Sequence, residues 1–413
     1  MHYNVFEVIF MERIPRPKAM DFLWRWHAKD IIKVVSGLRR SGKSTLLKLF
    51  KEELLSRGTK QEAIQFLNFE DLSYEELCQD YHKLYHYLVN HLQPDVMNYI
   101  FLDEIQNVSG FEKVVDSLYL RPNVDLYITG SNAYFLSGKL ATLLSGRYVE
   151  YKLLPLSFAE YCHSVKAQGK TPAQNYREYI STSSLPYTIN LADSASLSDY
   201  LRGTYSTIVL KDIVARLGIS DVSMLESVTA FLMDSIGNLI TPRKIADTMT
   251  SMHRKIDART VEKYMRALTD SLLLYRARRY DLKGKQLLSL HSKYYVSDLG
   301  FRRLLSSGRR PDYGHVLENV VYLELLRRGY DVRVGQLPDG EIDFVAMKND
   351  ELVYYQVCLS ILEESTLERE LAPLKKRRDN YPKYLLTLDD TIPDSNYEGI
   401  LARNVLTWLL DDM

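Results

Sequence analysis

The sequence predicts an α/β protein that begins with a parallel sheet covered by helices on both faces. Short apolar, β-branched runs alternate with helical patterns over the first 160 residues, which is typical of parallel sheets. A glycine-containing turn directly follows the first of these runs. Beyond residue 235 the pattern changes twice, and 413 residues allow two or three domains at roughly 150 residues each.

The first domain is expected over residues 12–160. Its first strand is followed by a helix from Ser44 to about Leu55, and the last strand runs into the exit sequence P-L-S-F. The predicted strands are 31–35, 63–68, 99–103, 124–129 and 147–154.

Three further regions are expected. Residues 161–235 are mostly helical, with a polar stretch at 164–196 that suggests a mobile connection. Residues 236–305 contain a helix capped by Thr241 with Pro242 at its first position, a second helix at 258–270 and a hairpin, which together indicate a winged helix. The region 312–413 has an α-β-β-β-α-β order.

Composition excludes several classes of function. Lys+Arg and Asp+Glu both number 53, so the chain has no global attraction for nucleic acid, and any basic surface is local. Three cysteines without a C-x-x-C pair exclude a disulfide framework and a thiolate zinc site, and they fit a reducing, cytoplasmic location. No apolar stretch approaches the roughly 20 residues that span a membrane, so no membrane partner is expected. Either Met1 or Met11 could be the start.

The turn after the first strand has the G-x-x-x-x-G-K-S spacing of a P-loop, in the required strand–loop–helix context. Glycines let successive N–H groups face inward, and with the helix N-terminus these form an anion site. Lys43 is expected to reach the β- and γ-phosphates of ATP, and the Ser44 hydroxyl to ligate Mg²⁺. The predicted nucleotide-binding residues are Gly37, Arg40, Ser41, Gly42, Lys43, Ser44 and Thr45.

The second motif is acidic: the sequence Y-I-F-L-D-E ends a predicted strand. Asp103 would hold Mg²⁺, and Glu104 would polarise the attacking water during hydrolysis of the γ-phosphate. Acidic residues are common at strand ends, so this motif indicates a catalytic site only because it occurs together with the P-loop.

Two other polar groups are candidates for the same chemistry. The next strand ends in I-T-G-S-N, where Asn132, or alternatively Ser131, would sense the γ-phosphate unless the segment is an ordinary turn. Arg147 precedes the last strand and could act as a catalytic arginine towards a neighbouring subunit, with Arg121 as a second option. A surface salt bridge is the alternative role for either arginine.

These motifs, with L-P-L-S-F-x-E-Y, resemble prokaryotic AAA-type ATPases that carry a C-terminal domain of unknown function. The resemblance extends from about Glu12 to the end of the chain. It implies an AAA+ P-loop fold in which Gly42, Lys43, Ser44 and Thr45 bind ATP and magnesium, while Asp103 and Glu104 perform hydrolysis. Sites of this type often lie between subunits, so a homo-oligomer or a protein partner is expected. The resemblance implies no cellular task.

The winged-helix region is the basic part of the neutral chain. Residues 241–290 hold 12 Lys+Arg against 5 Asp+Glu, a net charge of 12 − 5 = +7. DNA would be contacted mainly through phosphates, with strong salt dependence. The alternative is that this region packs against the ATPase and relays its state. The basic residues are Arg259, Lys263 and Arg266 on the second helix, and Arg276, Arg278, Arg279, Lys283 and Lys285 near the hairpin.

The C-terminal region is similar to the PD-(D/E)XK nuclease core, a restriction-endonuclease-like fold. Asp343 and Gln356 occupy the metal-ligand positions, and Glu318 lies on the preceding helix. Cys358 stands where that core has its lysine, and the neutral Gln356 removes a charge. The sequence therefore predicts a retained fold without cleavage.

Three hypotheses of function follow. The first is an ATPase whose nucleotide state reaches the winged helix and the nuclease-like domain. The second is a nucleotide-gated DNA-binding regulator with little turnover. The third is an ATP-dependent nuclease.

Overall fold

The computed structural model describes residues 14–132, 144, 146–191, 193–284, 286–306, 311–390 and 395–411. In this part of the chain the strands form two sheets, one of five and one of eight strands. The first sheet holds the P-loop, and the second joins the predicted winged helix to the C-terminal region.

The first sheet is entirely parallel, with the order β2-β3-β4-β1-β5. Each strand lies within two residues of its predicted limits, because apolar β-branched runs of this length favour buried strands. This confirms the predicted α/β class. The strands are β1 (Ile32–Ser36), β2 (Ile64–Asn68), β3 (Asn98–Asp103), β4 (Val124–Gly130) and β5 (Tyr148–Lys152).

Helices cover both faces of this sheet. Alternate residues of β1 point to opposite faces of the sheet. Val34 packs on one face with the helices at Tyr81–Asn90 and Phe111–Tyr119, and Val35 packs on the other with those at Pro17–Trp26 and Lys43–Ser56. Leu88 and Leu118 belong to the first of these cores, and Phe50 to the second. The helices are α1 (Pro17–Trp26), α2 (Lys43–Ser56), α3 (Glu75–Gln79), α4 (Tyr81–Asn90) and α5 (Phe111–Tyr119).

The expectation of a mobile connection at 164–196 is corrected by the structure, which forms helices there. The polar residues of this stretch are helix caps: Thr171 makes a capping box with Gln174, and Asp193 accepts hydrogen bonds from the first turn of the following helix. The region contains α6 (Phe158–Ser164), α7 (Pro172–Ser181), a 3₁₀ turn (Pro186–Asn190), α8 (Ser194–Thr207), a π-helical segment (Ile208–Ala215) and α9 (Val222–Asp234).

Helix, turn, helix and hairpin follow in the predicted order. Thr241 caps α10 by accepting a hydrogen bond from the Lys244 N–H, and Pro242 opens that helix. The hairpin does not stand apart, because its first strand, β6 (Leu274–Asp281), also pairs in parallel with β8 (Asp331–Leu337) and so extends the C-terminal sheet. The elements are α10 (Pro242–Ser251), α11 (Ala258–Asp270), β6 (Leu274–Asp281), β7 (Gln286–Val296) and α12 (Leu299–Leu305).

The C-terminal region has the predicted α-β-β-β-α-β order and three further elements that the sequence did not indicate. The eight-stranded sheet has the order β12-β13-β11-β10-β9-β8-β6-β7. One continuous core runs from the helical region through the hairpin to this sheet. The elements are α13 (Tyr313–Arg327), β8 (Asp331–Leu337), β9 (Gly340–Lys348), β10 (Glu351–Cys358), α14 (Glu364–Lys375), β11 (Lys383–Thr387), then β12 (Ser395–Tyr397), β13 (Ile400–Asn404) and α15 (Val405–Leu410), which were not predicted.

Among the helices that the structure describes, each is too short or too polar to cross a bilayer.

Candidate nucleotide-binding site

The P-loop lies at the carboxyl edge of the parallel sheet, between β1 and α2. Gly42 caps α2 with a φ of 98°, a conformation that favours glycine. Gly37 is needed for a different reason: a Cβ there would lie 2.4 Å from the carbonyl oxygen of Leu153. Arg40 also has a positive φ, of 68°, and its side chain is exposed at the loop tip. The two glycines thus permit both the curvature of the backbone and the close approach of the segment that follows β5.

Lys43 is buried in the centre of the site, with only 3% of its surface exposed. Its Nζ donates hydrogen bonds to the carbonyl oxygens of Gly37 (3.1 Å) and Leu38 (3.3 Å) and to Ser131 Oγ (2.8 Å). The same ammonium lies 3.3 Å from Glu104 Oε1. The structure therefore brings together Lys43 and Glu104, two of the three residues for which the sequence predicted catalytic roles, the third being Arg147.

Glu104 is held in place from several sides. It has a positive φ of 54°, and its N–H donates to Thr129 Oγ1 at 2.8 Å. Its carboxylate accepts hydrogen bonds from Ser131 Oγ and Gln106 Nε2, both at 2.5 Å. Burial opposes its charge, but Lys43, Ser131 and Gln106 outweigh burial and lower the pKa of Glu104. Glu104 is consequently ionised at neutral pH.

Asp103 is suited to a divalent cation. Thr129 Oγ1 donates to Asp103 Oδ1 at 2.6 Å, whereas Oδ2 is buried without a hydrogen-bond partner. Burial raises the pKa of Asp103, while Thr129 and the Ser44 side chain act in the opposite direction. A free carboxylate oxygen beside a serine hydroxyl is the kind of oxygen set that Mg²⁺ prefers. The residues present therefore fit Mg²⁺.

An open cavity of about 610 Å³ adjoins these groups. P-loop residues and Glu104 are among the residues that line it. The lining also includes Ile14, Leu46, Leu49, Pro186, Tyr187, Asn190 and Tyr200. Tyr187 is 45% exposed, and its ring stacks on Tyr200 with centroids 4.8 Å apart. Small-molecule sites usually enclose roughly 300–1,000 Å³ and combine apolar walls with a few polar groups, as here.

The sequence did not predict the contribution of Asp212. This residue lies in the π-helical segment, and its carboxylate oxygens are 3.4 Å from the Arg39 guanidinium. Arg39 also donates to Glu70 at 2.6 Å, and these partners outweigh burial to raise the pKa of Arg39. Burial raises the pKa of Asp212, and the nearby Glu104 adds to that rise. The sequence does contain one indication that Asp212 is buried with a partner, because Lys211 and Asp212 interrupt the apolar run I-V-L-K-D-I-V-A.

Other candidate residues lie at varying distances from this centre. Ser131 contacts both Lys43 and Glu104, whereas Asn132 is buried at the following position. Arg147 immediately precedes β5 and so lies at the amino ends of the strands, whereas the P-loop lies at their carboxyl ends. There it forms an ion pair with Asp116 of α5. Within one chain Arg147 thus does not reach the P-loop.

Arg121 also lies away from the centre, because its Nη2 donates to the Tyr85 hydroxyl at 3.1 Å.

A parallel sheet of this order, with a P-loop after β1 and an acidic pair after β3, defines a P-loop nucleotide-binding protein of the AAA type. A family model described as an AAA domain matches residues 29–162, and a model described as a domain of unknown function matches residues 173–312. An uncharacterized protein of Haemophilus influenzae is 40% identical over 401 residues, covering 96% of this chain and 98% of that protein. The chain belongs to this family, in which an AAA domain precedes a domain of unknown function.

Two further similarities extend the comparison. An uncharacterized protein of Methanocaldococcus jannaschii is 28% identical over 378 residues, covering 87% of this chain and 82% of that protein. Among solved structures, a Walker-type ATPase of Pyrococcus abyssi has a TM-score of 0.46 and 13% identity, covering 71% of this chain and 96% of that one.

Proposed function

We propose that this protein binds ATP with Mg²⁺ and hydrolyses the γ-phosphate. The observation that carries the proposal is the juxtaposition of a buried ammonium, Lys43, with an ionised carboxylate, Glu104, in the lining of an open cavity. Both side chains lie at the carboxyl edge of the sheet, beside the P-loop amides. An anion site next to a fixed carboxylate supplies what hydrolysis of a phosphoanhydride needs.

Three side chains would have separate roles in hydrolysis: Lys43, Glu104 and Ser131. The Lys43 ammonium donates hydrogen bonds to a backbone carbonyl and to Ser131, and it forms an ion pair with Glu104. A bound phosphate oxygen would therefore compete with Glu104 for the ammonium. Glu104 would then be free to accept a hydrogen bond from water and orient it. Ser44 and Asp103 would hold Mg²⁺, which would neutralise charge on the phosphate oxygens. Ser131 contacts both catalytic groups, which makes it a positioning residue.

The aromatic part of the cavity lining supports a nucleoside rather than free polyphosphate. Tyr187 presents a partly exposed ring that is braced by Tyr200, and Asn190 offers both a donor and an acceptor. These residues come from the helical region, so a bound base would join that region to the P-loop. Pro186 already approaches Gly42, since a Cβ on that glycine would lie 3.6 Å from Pro186 Cγ.

The experiment is a titration of purified protein with a fluorescent ATP analogue, with and without Mg²⁺, together with steady-state phosphate release. Wild type should bind and turn over, and Lys43→Ala should lose binding. Lys51→Ala is the matched control, because Lys51 lies on the same helix and its ammonium faces the ring of Phe66, 6.0 Å away. Absence of nucleotide affinity in wild type with Mg²⁺ present rejects the proposal.

A second candidate function is contact with DNA through the predicted winged helix. A cleft of about 670 Å³ lies between α11 and the hairpin, and Arg266, Arg276 and Arg278 line it. The Arg266 side chain is 83% exposed, which suits phosphate binding. Glu262 and Asp270 also line the cleft and reduce its net charge.

Not every predicted basic residue faces this cleft. Lys263 donates to the Leu217 carbonyl oxygen at 3.3 Å and so contacts the helical region. Lys285 lies outside the described residues. DNA titration at two salt concentrations tests the interface, and binding that does not weaken with salt rejects it.

We further propose that the C-terminal domain keeps a nuclease-like core without cleavage. Cys358 is buried, and burial raises the pKa of its thiol to about 12, so it does not replace a lysine. Gln356 Nε2 is bonded to Glu370 at 2.9 Å. Plasmid nicking with Mg²⁺ or Mn²⁺ is the test, and cleavage that survives repurification would support the ATP-dependent nuclease instead.

A homo-oligomer would give Arg147 a catalytic role that one chain does not provide. Light scattering with and without nucleotide measures the oligomeric state. If Arg147→Ala lowers turnover only in the oligomer, the arginine acts between subunits.

A further inference from the structure

The C-terminal sheet contains a buried charge cluster whose lysine, Lys293, the sequence patterns did not reveal. Lys293 of β7 points into the protein interior, with only 4% of its side chain exposed. Its Nζ lies 2.7 Å from Glu341 Oε1, 3.3 Å from Glu318 Oε2 and 3.8 Å from Asp343 Oδ1. One ammonium therefore contacts three carboxylates from α13 and β9.

The cluster is built into the fold rather than formed by flexible surface groups. Tyr295, two residues along β7, donates its hydroxyl to Glu318 Oε2 at 3.2 Å. The Val357 N–H of β10 donates to Asp343 Oδ2 at 2.9 Å. Asn319 beside Glu318 makes two hydrogen bonds with the backbone of Val296, which fixes α13 against β7. The carboxylates are thus held in place by neighbouring strands.

The ammonium is what lets these acids lie close together. Its Nζ forms an ion pair with each of the three side chains. Buried acidic groups are costly without a positive partner nearby, so Lys293 is a structural part of this centre.

We propose that Lys293 is a built-in cation that replaces a divalent metal in this centre. Glu318 and Asp343 are two of the residues that the sequence compared with nuclease metal ligands, and the ammonium lies between them. Among the residues that the structure describes, no group of three or more acidic, histidine or cysteine side chains is arranged to hold a metal ion. The cation comes from the hairpin, so it also binds the predicted winged helix to the C-terminal sheet.

A specific consequence is that removal of the ammonium leaves these acids in need of another cation. As they lie in the structure they are not arranged to hold a metal ion, so the carboxylates must rearrange for a divalent cation to take its place. Lys293→Met preserves length and apolar volume but leaves three carboxylates, two of them nearly buried, without a counter-charge. A hard divalent cation binds oxygen ligands and supplies the missing charge. The variant should melt several degrees lower than wild type in EDTA, and Mn²⁺ should restore most of the loss.

The experiment compares thermal melting in EDTA and in Mn²⁺, without nucleotide. Lys383→Met is the matched control: Lys383 is also a buried lysine of this sheet, but its ammonium contacts one carboxylate, Asp379, at 3.5 Å. Mn²⁺ should leave wild type and Lys383→Met unchanged. All three proteins contain the same P-loop, so a difference between them does not depend on ATP binding.

A double variant keeps the proposal testable if Lys293→Met does not fold. Lys293→Met with Asp343→Asn removes one positive and one negative charge, and it should fold in EDTA with a smaller response to Mn²⁺. The proposal is overturned if Mn²⁺ stabilises wild type as much as Lys293→Met. It is equally overturned if Mn²⁺ raises the melting temperature of neither Lys293→Met nor the double variant above its value in EDTA.

Discussion

Glu104→Gln tests the proposed mechanism most directly, because the substitution removes a charge while preserving shape. Glutamine retains an oxygen that accepts the hydrogen bond from Ser131. It loses attraction to Lys43, which at 3.3 Å and an effective dielectric of about 20 is a gross Coulomb energy of roughly 5 kcal/mol. Since the freed ammonium becomes available to phosphate, we expect nucleotide affinity to be unchanged or tighter by up to about tenfold.

Turnover should respond in the opposite direction. Loss of a general base usually lowers a rate by about 10²–10⁴-fold, which corresponds to roughly 2.7–5.4 kcal/mol in the barrier. Single-turnover phosphate release measures the rate, and titration with a fluorescent ATP analogue measures binding. Glu70→Gln is the matched control, because Glu70 also lines the cavity and pairs with an arginine, but it is exposed. An unchanged rate in Glu104→Gln, or lost binding, refutes the assignment.

Three other outcomes are expected. Asp212→Asn removes a buried negative charge beside the proposed phosphate site, so nucleotide should bind about three- to tenfold tighter; weaker binding in the same titration would contradict this electrostatic role. Gly37→Ala forces a methyl group against the Leu153 carbonyl and should cost about 1–3 kcal/mol of unfolding free energy in urea. Gly203→Ala, which meets no neighbour within 4 Å, should not share that loss. Arg278→Ala should reduce the slope of log affinity for DNA against log salt by about 1, and an unchanged slope argues against a phosphate contact.

Much of the first domain was predictable because its signals are local. The P-loop spacing and the strand before it depend on neighbouring residues, and the predicted strands agree with the structure to within two residues. The helix at Ala258–Asp270 was predicted at its observed limits, since its apolar positions follow a helical period. The polar stretch at 164–196 was misjudged, because helix caps and flexible connections use the same residues.

Contacts between distant residues could not be predicted in this way. Asp212 contacts Arg39, which is 173 positions away in the sequence. Lys293 of β7 contacts Glu341 of β9 only because the pairing of β6 with β8 brings the hairpin and the C-terminal strands into one sheet. The sequence alone determined the phosphate loop, the acidic pair after β3 and the alternation that makes a parallel sheet. Only the tertiary structure decided which charges meet in the interior. Burial makes each of these charges costly without a partner, and the partner's position depends on how sheets and helices pack.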